Sequence, residues 1–94
     1  ALVVKAQGRY AEAEGLYKQA LEIDRATIGE GHPDYAIDLN NLAMVVAAQG
    51  RYAEAEPLYE QALGILEATL PPGHPDIAGV RGNLNDLRDK MKSE

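Results

Sequence analysis

His32 and His74, each followed by proline and aspartate, and the acidic pairs Glu12/Glu14 and Glu54/Glu56 are the residues whose types could do chemistry in this chain. A histidine becomes a metal ligand on a helix when a second ligand lies three or four residues on, and neither histidine has one. The two also lie one sequence repeat apart. The other reading is a loop that stops one helix and starts the next, with Pro33 or Pro75 fixing the turn and Asp34 or Asp76 capping the helix that follows. Carboxylates two apart on a helix point to different sides, so neither glutamate pair can share a proton or a water. The chain has no cysteine, no serine–histidine pairing motif and no glycine-rich phosphate loop after a strand. No enzyme activity, no metal and no cofactor are expected.

Bulk properties narrow the partners. Nine Lys/Arg against fifteen Asp/Glu give a formal charge of −6, divided evenly between the two halves of the chain. Nucleic acid is not an expected partner, because its counterions are displaced by a basic stripe that is missing here. The longest unbroken apolar run, Leu42 to Ala48, is seven residues, far short of the ~20 that span a bilayer. Without cysteine, neither a disulfide framework nor a thiolate metal site is available. Ala1 stands inside an apolar stretch with no basic region before it, which reads as a cut end rather than a signal peptide. The expected location is cytoplasmic. Ninety-four residues make one small domain at most, and a single compact core of that size would be marginally stable.

Self-comparison supplies the organisation. The segment GRYAEAE occurs at Gly8–Glu14 and again at Gly50–Glu56, an offset of 42, and at that offset 22 of 42 positions match. Ala1–Gln7 aligns in turn with Ala43–Gln49 at five of seven positions. The chain therefore reads as a partial helix of a preceding unit (1–7), one repeat (8–49) and a second repeat (50–92) ending in a capping helix.

Within each repeat the periodicity is helical. Tyr10, Ala13, Leu16, Tyr17, Ala20, Leu21, Ile23, Thr27 and Ile28 recur at three- and four-residue steps, with charged residues between them. The spacing predicts five helices and no strand, at about 1–7, 10–28, 34–49, 52–70 and 76–92, with antiparallel turns at Gly8–Arg9 and Gly50–Arg51. Pro57 removes one helical hydrogen bond and is expected on the solvent side. The helix over 34–49 is apolar nearly all round, so it should be covered on two sides. Its later copy keeps one stripe, Ile77, Val80, Leu84, Leu87 and Met91, and carries Arg81, Asn85 and Arg88 where Leu39, Ala43 and Val46 stood. That polar outer face is what a terminal repeat requires. Ala20 and Ala62 occupy equivalent places and are expected at close helix contacts. Four of the five tyrosines also occupy equivalent places, 10 with 52 and 17 with 59, as packing residues.

The pattern Leu39-x-x-Leu42-Ala43-x-x-Val46-x-x-x-Gly50-x-Tyr52-x-x-Ala55-x-x-x-Tyr59-x-x-Ala62 resembles the tetratricopeptide signature. Ordinary units of that kind are about 34 residues long. The 42-residue period and the GHPD loops look like the kinesin-light-chain type. The resemblance implies an all-α fold, a right-handed α-solenoid of antiparallel helix pairs, whose concave face is lined by the shorter helices and holds a peptide or partner segment. Carried over by position, the groove residues are Ile37, Asn40, Met44, Ala47 and Ala48, with Leu2, Lys5 and Ala6 from the partial first helix. Leu39-Asn40-Asn41-Leu42 matches a motif whose asparagine reaches peptide backbone in that type. The last helix departs from it, with Gly82 in place of Asn40 and Asp86 in place of Met44. Only Lys5 and Lys90 are placed to grip an acidic ligand, so a mostly apolar segment fits better.

A protein or peptide ligand is thus the expected partner. The alternative is a structural module that self-associates and binds no peptide. Leu2, Val3 and Val4 present the surface that Met44, Val45 and Val46 bury in the internal copy, while the polar last helix discourages stacking at the other end. A closed homodimer through residues 1–10 and the apolar side of the following helix is expected on those grounds.

Overall fold

A computed structural model describes residues 2–93, with side chains from residue 8 onward. The described residues form four helices and no strand: α1 (Leu2–Thr27), α2 (Pro33–Ala48), α3 (Tyr52–Thr69) and α4 (Pro75–Ser93). Each packs on its neighbour in sequence, and α2 also meets α4.

Local chemistry sets the ends of the helices. Proline at the first position of α2 makes the residue before it the N-cap, and that residue is His32, not the expected Asp34. The backbone N–H of Asp34 donates to His32 Nδ1 at 3.0 Å, and that of Asp76 to His74 Nδ1 at 3.1 Å. Asp34 and Asp76 lie in the first turns instead, where their charge meets the positive end of the helix dipole. At the other end of α2, Gly50 takes φ +83, a left-handed conformation that a side chain would strain. Its N–H donates to the Ala47 carbonyl at 2.9 Å, and the Arg51 N–H to that of Val46 at 3.3 Å. This pair of bonds closes the helix and turns the chain back into α3. Pro57 is exposed within α3, as its missing donor requires.

The expected turn at Gly8–Arg9 is absent. The stretches 1–7 and 10–28, read as two helices, belong to one helix that runs without interruption from Leu2 to Thr27. Lengthening a helix already nucleated adds a hydrogen bond for each residue fixed. Folding back a piece of seven residues would fix a turn and leave two helical turns to bury. The other three helices lie within one residue of their expected limits.

The core follows the repeat. Ala36, Ala43, Ala55 and Ala62 are all fully buried, so α2 and α3 carry no bulk where they cross. Leu39, Leu42 and Val46 complete the coverage of α2 on two sides, and Ile77, Val80, Leu84 and Leu87 form the single buried stripe of α4. Arg81, Asn85 and Arg88 are exposed. Arg81 reaches Glu67 of α3 at 3.0 Å, and Arg88 reaches Glu56 at 3.1 Å and Glu60 at 3.5 Å. Ala20 is only half-buried, unlike Ala62.

One buried charge ties α1 to the turn after α2. Glu14, 8 % exposed, accepts from Gln49 Nε2 at 3.0 Å and Arg51 Nη1 at 2.8 Å and pairs with Lys18 at 3.1 Å. Arg51 also pairs with Glu54. These donors, Gln49 first, then Arg51 and Lys18, outweigh desolvation and pull the Glu14 carboxyl down from 4.5 to about 2.

Two outcomes follow from this packing. Ala62→Leu overpacks a filled site and should lower the urea-unfolding free energy by about 1–3 kcal/mol, while Ala20→Leu should cost less. The lowered pKa of Glu14 contributes stability that is complete above pH 4.5 and is lost as the pH falls towards 2. Glu14→Ala should therefore lower stability at neutral pH by about 1–2 kcal/mol and flatten the acid limb of the stability–pH curve measured by denaturant melts.

Candidate functional site

Of the expected groove residues, Leu2, Lys5 and Ala6 lie outside the described side chains. The other five fall on one stripe of α2: Ile37, Asn40 and Ala47 are half-buried, Met44 is 48 % exposed and Ala48 is exposed. That stripe borders α4. Met44, Ala47 and Ala48 form one wall of a cleft of about 230 Å³, with Tyr59 of α3 also contributing. The opposite wall is Asn83, Asp86, Leu87 and Lys90 of α4. Small-molecule pockets run to about 300–1,000 Å³. This cleft has room for one or two side chains.

Asn40 does not line the cleft. Asn83 Nδ2 donates to Asn40 Oδ1 at 3.0 Å, and Asn40 Nδ2 donates to Met44 Sδ at 3.7 Å. The asparagine expected to meet a ligand thus ties α2 to α4 and steadies Met44 at the mouth. Ile37 stands one turn before it, also away from the cleft. Gly82 and Asp86 stand at the α4 positions equivalent to Asn40 and Met44, and of these two only Asp86 lines the cleft. The contact between the two helices brings in Asn83, Asp86, Leu87 and Lys90, which replace the asparagine and methionine positions with a polar wall. The available signal was the spacing 83, 86/87, 90 on one side of α4, which carries the α2 stripe onward.

The cleft holds one acid and one base a helical turn apart. Asp86 and Lys90 are both exposed and line the cleft, and neither has an ion-pair partner among the described residues. Tyr59 is 4 % exposed, and burial, then the charge of Asp86, pushes its phenol up. A neutral Tyr59 with a methionine and two alanines makes the α2 side of the cleft apolar.

The residues first considered for chemistry are otherwise employed. Both histidines use Nδ1 as caps. Among the described residues no group of three or more His, Asp or Glu is arranged to hold a metal ion. Glu12 is exposed and Glu14 buried in its own cluster, so the two carboxylates occupy separate environments.

The tetratricopeptide-repeat family model matches residues 1–68 of the chain. The chain belongs to the tetratricopeptide-repeat family. That family is a non-catalytic repeat scaffold, and its repeats generally mediate protein–protein interaction. The cleft lies where α2 meets α4. No curated protein sequence matches the chain. No helix among the described residues is long and apolar enough to cross a membrane.

Proposed function

We propose that this chain is a protein-interaction scaffold of the kinesin-light-chain type that holds a partner segment on the concave face formed by α2 and α4. The observation that carries this reading is the cleft itself. Its apolar side of Met44, Ala47, Ala48 and Tyr59 suits one or two apolar side chains of a partner. Asp86 and Lys90 at its rim favour a segment with charges of both signs over a uniformly acidic one. Met44 can repack around different side chains, which suits a surface that takes related segments.

A second reading rests on α1. Leu16 and Ile23 are 62 % and 61 % exposed, and Ile28 is 41 % exposed. At an offset of 42 their counterparts are Leu58, Ile65 and Leu70, which are partly buried and packed against the core. An apolar stripe built for a neighbouring helix is thus open on α1. A second copy of the chain, joined through this stripe and residues 1–10, would cover it.

Selection of a displayed random-peptide library against the chain separates the two readings. Met44→Glu with Ala48→Glu places charge in the cleft at exposed or solvent-facing sites, so stability should change by no more than about 0.5–1 kcal/mol. The expected outcome is that selected peptides bind the parent and lose at least roughly tenfold in affinity for the double variant, a difference of about 1.4 kcal/mol. Equal binding to both forms would remove the concave face as the binding surface. Sedimentation of the parent over a range of concentrations, with Leu16→Glu as control, reads self-association directly.

A further inference from the structure

Asp24 of α1 and Asp38 of α2 are both half-buried where these helices pack. Forty-two residues on, the same two places in α3 and α4 hold Leu66 and Val80, 0 % and 2 % exposed. Two carboxyl groups therefore stand where the next unit buries two aliphatic side chains. Asp38 lies within hydrogen-bonding reach of Asp24. Asp24 Oδ2 is enclosed, with no hydrogen-bond partner among the described residues.

The charges that reach Asp38 come from α1 and α2 alone, and they are Asp24 and, one turn earlier on its own helix, Asp34. No lysine or arginine balances them, and the one imidazole nearby is His32, whose Nδ1 lies 3.9 Å from Asp34. Arg25, next to Asp24, is directed to the Tyr35 hydroxyl at 3.1 Å and to Glu30 at 3.8 Å, and Lys18 is paired with Glu14. With both carboxyls ionised, two negative charges face each other and neither side can donate. One proton removes a charge and supplies the missing O–H donor.

We propose that Asp38 keeps its proton and donates it to the Asp24 carboxylate, and that its loss loosens the joint between α1 and α2 while leaving the joint between α3 and α4 unchanged. The first helix of the scaffold is then docked or released by pH, a response that the apolar Leu66 and Val80 cannot give. Burial first, then Asp24 and Asp34, raises the Asp38 carboxyl from 3.8 to about 6. A raised acid binds its proton more tightly in the folded state. The stabilisation is therefore complete below the ordinary aspartate range and is lost as the pH rises through about 6.

Amide exchange followed by mass spectrometry, corrected for the intrinsic pH dependence of exchange, tests this between about pH 4.5 and 7.5. The parent is compared with Asp38→Asn, whose amide is a permanent donor, and with Asp24→Leu/Asp38→Val, which copies the second unit. Both histidines are retained throughout, so their contribution cancels. In the parent, protection of residues 20–27 and 33–42 should fall roughly tenfold or more across the window, while that of 77–90 stays level. Both variants should abolish the fall. A parent in which all helices respond alike, or a fall that persists in either folded variant, overturns the proposal. Asp38→Asn decides alone if the double replacement does not fold.

Discussion

The structure depends on the need to cover α2 on two sides. Its residues are apolar nearly all round, and six of them, Tyr35, Ala36, Leu39, Leu42, Ala43 and Val46, are buried. No single neighbour can cover such a helix. The hydrophobic gain therefore requires α1 on one side and α3 on another. The alanines at the α2–α3 crossing let those helices approach closely, and the left-handed turn at Gly50 returns the chain at once. The position of α4 follows from α3, and the remaining side of α2 is left beside α4. That remaining side carries Met44, Ala47 and Ala48, so the cleft is what is left open once α2 has been buried.

The same scaffold accepts polar residues at its apolar positions when a partner is supplied. Arg81 and Arg88 occupy places that Leu39 and Val46 bury, and each finds glutamates on α3 at its exposed edge. Such exposed pairs contribute little stability singly, and their effect is to make the outer face of α4 compatible with water. Glu14 is the inward case, where three donors converge on one carboxylate that is nearly enclosed. Asp24 and Asp38 are a third case, in which only a proton can pair the groups. The two helix pairs thus differ in what they bury at equivalent places: Leu66 and Val80 between α3 and α4, two carboxyl groups between α1 and α2.

Much of this was legible in the sequence because the repeat repeats its physics. The limits of α2, α3 and α4 followed from the spacing of Leu39, Leu42 and Val46 and their copies, and from the proline and glycine punctuation. The continuation of α1 through Gly8 was not legible, because GRYAEAE reads identically at both sites. What separates them is tertiary. Arg51 is held by Glu14 from the preceding helix, whereas Arg9 has no such anchor among the described residues. The histidine caps were hidden behind the stronger general preference of aspartate for that place. On the candidate surface, the α2 stripe followed from helical periodicity and the resemblance of its motif. The α4 wall did not, because Gly82 and Asp86 break the pattern at the equivalent positions while Asn83 and Lys90 approach from the adjacent side. Leu16, Ile23 and Ile28 are exposed while their counterparts Leu58, Ile65 and Leu70 are packed, a difference that identical spacing and similar residue types do not reveal.

In the proposed function, partner segments meet the chain between α2 and α4. A ¹⁵N-resolved NMR titration of the chain with a peptide that it selects tests this most directly. Amide shifts should concentrate in residues 44–48 of α2 and 83–90 of α4, with little change along α1. Shifts that cluster instead around Leu16 and Ile23, or that appear on raising the protein concentration with no peptide present, would contradict it.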